Sequence, residues 1–313
     1  MTWVTWRLQR TETAIAATLL VLLALLLVPT GLSMASTYHH DGLAACLSAN
    51  PSNACGEKIN AFQMRFDTLL NLTNWFTLIP GLIGVTLAAA FVLDLEQGTH
   101  RLAWTQSISR RRWIAGKLVL PVLAAVVSAA VMILLITWWR QPYVQLNGRL
   151  DTGTYDSEGI VAIGYTLFAL GLALAIGVVW RRAAAALTIA FVGYVIARIF
   201  VDSWLRDHLI SPLRATWNIT QTSGNGLTQP AALYHGFVLA ERISIRRGGQ
   251  GAGAFDGSGK PGLPGKGSSL TYHVVYHPAS HFWPMQLAET ALFAGAAAVL
   301  IMFAAWWTHQ RTV

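Results

Sequence analysis

Residues 94–117 read DLEQGTHRLAWTQSISRRRWIAGK and separate two apolar runs, each long enough to cross a membrane. The stretch carries five of the chain's 22 basic residues, which are Arg101, Arg110, Arg111, Arg112 and Lys117. An acidic residue and a Gly-Thr break come first, then a short segment able to form a helix, and then the basic cluster. A loop that merely joined two membrane helices would not need this polar chemistry. The pattern therefore predicts a docking element on the cytoplasmic face of a membrane.

The composition points to lipid as the solvent. The 313 residues are 54% hydrophobic and 12% charged, whereas soluble domains average about 25% charged residues. Apolar runs of roughly 17–25 residues have the length that about 30 Å of hydrocarbon requires. Six such runs lie at about 14–34, 75–93, 116–139, 160–180, 184–203 and 285–307. Because lipid offers no water to an open backbone, the sequence predicts an all-α membrane protein with six transmembrane helices in one domain over 1–313.

The first run and the basic residues decide the topology. Arg7 and Arg10 precede residues 14–34 as they would in a signal peptide, but the apolar core is at or beyond the upper length of such a peptide. We therefore expect an uncleaved first helix. Lys and Arg concentrate in the short loops of one side, which the positive-inside rule assigns to the cytoplasm together with both termini and residues 94–117. This topology explains the net charge of +8 without nucleic acid, for which no binding motif is present.

The loops predicted outside the cell contain the two cysteines of the chain, Cys46 and Cys55. Two cysteines so close in sequence on an oxidising face are expected to form a disulfide, and two unpaired thiols are the alternative. The segment 204–284 is the largest one outside the membrane. Within it, 230–243 is compatible with a short helix, and 247–269 is so rich in Gly, Ser and Pro that we expect it to be mobile.

Motifs for chemistry within the chain are weak. Gly259-Lys260 and Gly265-Lys266 both lack the full pattern of a phosphate-binding loop, which requires G-x-x-x-x-G-K-[ST]. His273, His277 and His281 recur every four residues, but Pro278 disfavours the helix that would align them as metal ligands. We expect a loop that packs above the last span, no metal site, no nucleotide site and no enzymatic activity in this chain.

Charged residues inside apolar runs are costly and therefore informative. Arg198 and Asp202 lie four residues apart near the outer end of the fifth run, and Glu289 lies in the first turns of the sixth. One hypothesis is that Arg198 contacts a substrate, or pairs with Glu289 to close the outer end of a pathway. The alternative is that these charges only reach toward the headgroups and pair neighbouring helices.

The polar loop carries a family resemblance. Glu96-Gln97-Gly98-Thr99, Ser109-Arg110 and Gly116-Lys117 resemble the E-x-G-T, S-R and G-K pattern between the second and third spans of ABC-2 type transporter permeases. Six spans with a large outer segment before the last also match. Residues 276–286, followed by Glu289, resemble the start of the last span in a bacterial subgroup. The resemblance implies the ABC-2 (type V exporter-like) permease fold, with short extracellular helices before the last span.

The resemblance also implies a function. In this family, two permease chains pair in the bacterial cytoplasmic membrane, and two ABC ATPase subunits, which bind ATP and Mg, lie beneath them. The chain would be one half of an exporter, expected to be a homodimer, that moves a drug, an antibiotic or a lipid-like molecule outward by alternating access. An ATP-independent membrane scaffold or sensor that presents residues 204–284 is the alternative.

Docking of the ATPase follows from the same resemblance. Residues 97–112 would enter a groove of the ATPase as a coupling helix, with Trp104 as a buried anchor, and Glu96 would cap or brace the turn at the membrane surface. The basic residues would pair with acidic groups or lipid headgroups. The expected docking residues are Glu96, Gln97, Gly98, Thr99, Arg101, Trp104, Arg110, Arg111 and Arg112.

Overall fold

The structure is a computed structural model, and it describes residues 2–48, 53–98, 109–150, 155–219, 236–246 and 269–311. Nine α-helices and three strands lie in these residues. The helices are α1 Thr2–His40, α2 Leu43–Ser48, α3 Asn53–Phe76, α4 Ile79–Glu96, α5 Arg110–Asn147, α6 Val161–Trp180, α7 Ala183–Phe200, α8 Arg206–Leu209 and α9 Phe282–Arg311. The strands are β1 Leu213–Ile219, β2 Phe237–Arg246 and β3 Ser269–His277.

Six segments of the described chain are long and apolar enough to cross a membrane, which confirms the predicted all-α membrane fold. They are α1, the α3–α4 pair, α5, α6, α7 and α9. Several helices are longer than the apolar runs that predicted them, since α1 has 39 residues and α5 has 38. At 1.5 Å per residue, each of these two exceeds about 30 Å of hydrocarbon, so its ends project beyond it.

The second span begins later than the apolar run suggests. Helix α3 ends at Phe76, two residues form a turn, and α4 begins at Ile79 with Pro80 in its first turn. Proline suits that position because its missing N–H would have no helical partner there. The break therefore separates the projecting helix α3 from the spanning helix α4.

Helix α6 is the centre of the bundle. Of the 18 consecutive residues of α6 that are most apolar, 72% are buried. The corresponding buried share is only 22–33% in α1, α5, α7 and α9. Large apolar side chains such as Leu25, Leu134 and Val299 are exposed on the outer helices. Exposed apolar surface of this extent is unfavourable in water and favourable in lipid. The burial pattern is therefore that of a bundle whose outer face contacts lipid.

The bundle has two ends, which we name by what lies there. The loop side is the end where α4 ends, α5 begins and the short α6–α7 connection lies. The sheet side is the opposite end, where α3, residues 155–160 and the three strands lie. On the sheet side a disulfide joins Cys46 of α2 to Cys55 of α3, with their Cα atoms 5.5 Å apart.

The segment before the last span folds differently from the prediction. Strands β1, β3 and β2 form an antiparallel sheet with β3 in the middle, and Leu213 pairs with Tyr276 while Phe237 pairs with His277. The helix predicted in 230–243 is wrong for 237–243, which belongs to β2, and 230–235 lies outside the described residues. Val238, Ile243 and Ile245 are β-branched and favour a strand, and β3 supplies the pairing partner.

Among the described residues before the last span, the short helical segments are α8 and a 3-10 turn at Ala279–His281, and 220–235 lies outside the described residues. Of the segment predicted to be mobile, 247–268 lies outside the described residues. His273 and His277 lie on β3 and His281 lies in the 3-10 turn, so the three do not share a helix. The Nδ1 atoms of His277 and His281 are 3.1 Å apart.

Candidate functional site

On the loop side, the second span ends where the E-x-G-T pattern begins. Gln97 donates its backbone N–H to the carbonyl of Leu93 at 2.9 Å, which is the last helical bond of α4. Gly98 follows with φ of 70°, the left-handed conformation that commonly terminates helices and that glycine adopts at least cost. The glycine of the pattern therefore turns the chain out of the second span.

Glu96 ties the second span to the fifth. Its Oε2 accepts a hydrogen bond from the backbone N–H of Ala183 at 2.8 Å. Ala183 is the first residue of α7, where helical N–H groups have no partner within the helix and a carboxylate is favoured by the helix dipole. Arg181, with φ of 51°, ends α6 and begins the two-residue connection that precedes α7. The contact fixes the end of α4 against the start of α7.

A second contact holds the other end of the polar loop. Lys117 Nζ lies 2.5 Å from Asp94 Oδ2, and the lysine side chain is buried. Gln9 of α1 donates from Nε2 to the Lys117 carbonyl at 3.3 Å. The pair joins the end of the second span to the start of the third. The described ends of the polar loop are thus tied to the first, third and fifth spans.

The structure places only part of the predicted docking set. Glu96, Gln97 and Gly98 end α4 as described above. Thr99, Arg101 and Trp104 lie outside the described residues. Residues 110–112 form the first turn of α5, and the structure describes their backbone only.

On the sheet side, the predicted charges in the fifth and sixth spans meet. Arg198 contacts Glu289 Oε1 through Nη1 at 3.2 Å and Asp156 Oδ2 through Nη2 at 2.7 Å. Arg206 also contacts both acids, and its Nη1 lies 2.5 Å from Asp202 Oδ1. We call Asp156, Arg198, Arg206 and Glu289 the charge cluster. All four are buried. The side chain of Asp202 is 41% exposed and lies at the edge of the charge cluster.

Tyrosines complete the surroundings of the charge cluster. Tyr165 donates its hydroxyl to Glu289 Oε1 at 2.5 Å, and its ring lies 3.8 Å from the guanidinium carbon of Arg198. The ring of Tyr155 lies 4.3 Å from the guanidinium carbon of Arg206. Stacked rings and paired carboxylates offset the cost of burying two cations in a low-dielectric interior. The charges are therefore held in place by several partners each.

A π-helical turn, Val201–Leu205, brings the two arginines to the same acid. Eight residues of ideal α-helix leave Arg206 roughly 80° around the axis from Arg198. A wider π-turn accommodates an extra residue and removes most of that offset. Both guanidinium groups consequently reach Asp156. Such turns occur frequently at functional sites.

Sequence reasoning missed the segment 155–160, which connects to three spans. Asp156 binds the arginines of α7 and α8, and Glu158 Oε1 lies 3.4 Å from Arg140 Nε of α5. Gln286 of α9 donates to the Tyr155 carbonyl at 2.7 Å and accepts from the Val161 N–H at 3.0 Å. The only signal in the sequence is two acids just before an apolar run, a pattern equally typical of a solvated loop.

Glu158 lies outside the spans and is nevertheless buried. Burial raises the pKa of its carboxyl to about 7, and the positive charges of Arg140 and Arg149 offset this only in part. Arg140 donates from Nη1 to Thr73 Oγ1 at 2.9 Å, which connects the pair to α3. The protonation state of Glu158 therefore affects how α3 and α5 are held on the sheet side.

A cavity of about 180 Å³ lies between the charge cluster and the sheet. Asp202 and Arg206 form its polar wall. The remaining lining residues are Leu150, Tyr155, Phe237, Val238, Leu239, His277 and Met285. The arginine–carboxylate contacts thus border a space that opens toward the strands.

The bundle, its apolar outer face and its paired charges define a multi-pass membrane protein. The sequence model of the family described as ABC-2 membrane transporter related matches residues 17–206, and the chain belongs to that family. It is thus the membrane subunit of a transporter, of a kind that generally pairs with an ABC ATPase subunit. No curated protein and no solved structure matches the chain.

Proposed function

We propose that the chain is the permease subunit of an ABC exporter, which moves a hydrophobic or amphipathic molecule outward while a separate subunit hydrolyses ATP. The observation that carries the proposal is the set of contacts that hold the two ends of the polar loop against other spans. The loop lies within the residues matched by the family. A loop whose two ends are tied to the first, third and fifth spans is suited to pass force from a partner into the bundle.

The route of that force follows the contacts of the loop side. Residues 97–112 dock in a groove of the ATPase, with Trp104 as the buried anchor and the basic residues on acidic groups or headgroups. Movement of the docked loop displaces the end of α4, and the Glu96–Ala183 hydrogen bond passes the displacement to the start of α7. The Asp94–Lys117 pair passes it to α5. The loop side faces the cytoplasm in this arrangement.

The working assembly contains two permease chains, proposed as a homodimer in a bacterial cytoplasmic membrane, and two ATPase subunits that bind ATP and Mg. Only one face of α7 is buried within the chain, and Val192, Ile196 and Ile199 of the opposite face are exposed. A second chain or lipid has to cover such a surface. The drug, antibiotic or lipid-like class of the substrate agrees with a path between apolar helices.

The test is co-purification of the chain with an ABC ATPase encoded beside it, followed by ATP hydrolysis and transport in vesicles. Truncation of a buried aromatic anchor commonly costs about 2 kcal/mol of binding, roughly 30-fold in affinity. We therefore expect Trp104→Ala to weaken ATPase binding by that factor and to abolish coupled transport. Trp306→Ala, which changes an exposed tryptophan of α9, is the matched control and should bind normally.

Two results would contradict the proposal. Full transport by a Trp104→Ala, Arg101→Ala double variant would exclude docking through this loop. Absence of any ATPase in the purified complex, with the chain intact in the membrane, would instead favour the scaffold or sensor that presents residues 204–284.

A further inference from the structure

The sixth span is packed tightly against the fourth. Glycines of α6 bring the two backbones together, since a Cβ added at Gly164 would lie 3.3 Å from the Thr290 carbonyl oxygen and one at Gly171 would lie 3.1 Å from that of Ala297. Gln286 adds two hydrogen bonds at the sheet side. Close packing of small residues is the main attractive contribution between helices in lipid. This packing favours movement of α6 and α9 as one unit.

The fifth span is attached in a different way. The residues that α7 buries form one stripe along the helix, which comprises Ala183, Ala186, Ala190, Tyr194 and Arg198. Toward the sheet side the stripe becomes polar, because the Tyr194 hydroxyl donates to the Thr77 carbonyl at 2.7 Å and Arg198 belongs to the charge cluster. Val201 is the next buried residue after these. The sheet-side half of the span thus adds hydrogen bonds and ion pairs to the apolar contacts of Tyr194 and Val201.

The charge cluster joins these two differently attached parts. Both arginines belong to the fifth span and its continuation, while Asp156 precedes α6 and Glu289 belongs to α9. Ion pairs, unlike interlocked backbones, can be separated if water replaces the lost partners, and removal of one buried partner without replacement is costly. The cavity beside Asp202 and Arg206 provides a place from which water can reach Arg206. The π-turn at 201–205 keeps both arginines directed at Asp156, so that α7 and α8 can leave this acid together.

We infer that the sheet-side half of α7, together with α8, swings away from the α6–α9 unit during outward opening, and that Asp156 is the positioning residue that holds it closed. The inference rests on the proposed transport function. It adds the element that moves, which is the sheet-side half of α7 with α8, and the residue that holds this element in place, which is Asp156. Asp156 is suited to this role because it contacts both arginines. Glu289 adds the second carboxylate from the sixth span.

The movement is measured as a distance between two spin labels. The chain has two cysteines, both in the disulfide, so introduced cysteines are labelled without background. Ser203→Cys and Leu287→Cys place labels at exposed positions on the π-turn and on α9. Val179→Cys and Val299→Cys, exposed on α6 and α9, form the control pair. Labelled chain is diluted into unlabelled chain so that only distances within one chain are recorded.

In the complex with its ATPase, trapping with ATP and vanadate should lengthen the 203–287 distance by about one helical turn, on the order of 5 Å. The 179–299 distance should stay constant because α6 and α9 move together. If ATP is hydrolysed and transport proceeds while both distances remain unchanged, the inference is wrong and the proposed function stands. If no ATP is hydrolysed in the complex, the proposed function is wrong, and the following arm decides the inference by itself.

The second arm uses the isolated chain without any partner. Asp156→Asn removes the charge that both arginines contact, and the 203–287 distance distribution should lengthen or broaden. Asp67→Asn, at an exposed aspartate of α3, is the matched control and should leave the distribution unchanged. If Asp156→Asn does not fold, Arg206→Lys is used with the same expectation. Lysine keeps the positive charge but has one nitrogen in place of the two through which Arg206 contacts Asp156 and Asp202. An unchanged distribution in the variant that folds would overturn the inference.

Discussion

Polar contacts hold the bundle together at both ends, but the two ends are built differently. On the loop side the described residues form separate pairs, which include Asp94 with Lys117 and Glu96 with the N–H of Ala183. On the sheet side the buried carboxylates of Asp156 and Glu289 share the same two arginines. The loop side therefore consists of separate pairwise contacts, and the sheet side of one interdependent cluster.

The difference has an energetic consequence. A side-chain cap such as Glu96 typically contributes about 1 kcal/mol, so a docked partner can break the contact between Glu96 and the N–H of Ala183 at little cost. Loss of one member of a buried cluster costs about 3–5 kcal/mol because the remaining charges are left without a partner. We therefore expect the sheet side to open as a whole, while the loop side adjusts contact by contact. Four predictions test this contrast.

The largest effect is expected for Arg206→Ala. The substitution removes a cation from Asp156, Asp202 and Glu289 together, and we expect a loss of about 3–5 kcal/mol in the free energy of unfolding. Equilibrium unfolding in mixed detergent micelles measures it. Arg214→Ala, at an exposed arginine of β1, is the control and should change stability by less than about 0.5 kcal/mol. Equal effects of the two variants would show that the charge cluster is not interdependent.

The second prediction concerns pH and Glu158. Because burial raises its pKa from 4.5 to about 7, the folded state binds this proton more tightly than the unfolded state does. The stabilising contribution of Glu158 is thus fully present below pH 4.5 and is lost as the pH rises through about 7. At about 1.36 kcal/mol per pKa unit, the loss is roughly 3 kcal/mol at most.

The measurement is the difference in unfolding free energy between the wild-type chain and Glu158→Gln, followed from pH 4 to pH 9. The difference cancels the titration of the other groups, and it should fall between pH 4.5 and 7 and stay level above. A difference that does not vary with pH would mean that Glu158 is solvated, as in the loop that the sequence alone suggests.

A smaller effect is expected for Gly159→Ala. The added Cβ would lie 2.0 Å from Oε1 of Gln286, and that side chain cannot easily move because it holds Tyr155 and Val161. We expect a loss of about 1–3 kcal/mol, measured as a lower melting temperature. Gly295→Ala on α9 is the control, since a Cβ there has no neighbour within 4 Å. It should be neutral or stabilising by up to about 1 kcal/mol. Equal melting temperatures for the two variants would mean that Gln286 does not clamp the segment.

The smallest effect on stability is expected for Glu96→Ala. It removes a side-chain cap at the start of α7, which typically costs about 1 kcal/mol. In the complex with the ATPase, however, the same variant should lose transport while ATPase binding is kept, because the contact passes force between spans. Glu57→Ala, at an exposed glutamate of α3, is the control for both measurements. Loss of several kcal/mol in Glu96→Ala would erase the contrast between the two ends.

Particular residues show how far sequence reasoning reached. The six spans were predictable because apolar length is a local property. Arg198, Asp202 and Glu289 could be singled out because charges inside apolar runs are conspicuous. Asp156 and Glu158 could not be singled out, because the sequence of a polar segment between two spans is similar whether the segment is solvated or buried. Residues 237–243 of β2 were predicted to be helical because the strand that pairs with them, β3, lies in a distant part of the chain.

What the sequence by itself determined is the number of spans, their approximate positions and the polar loop after the second one. Each of these follows from the thickness of the hydrocarbon and the polarity of consecutive residues. Only the tertiary structure decided which charges pair, since the four members of the charge cluster come from three separate parts of the chain. Their contacts depend on how α6, α7 and α9 pack, and packing is a property of distances between segments that no local pattern contains.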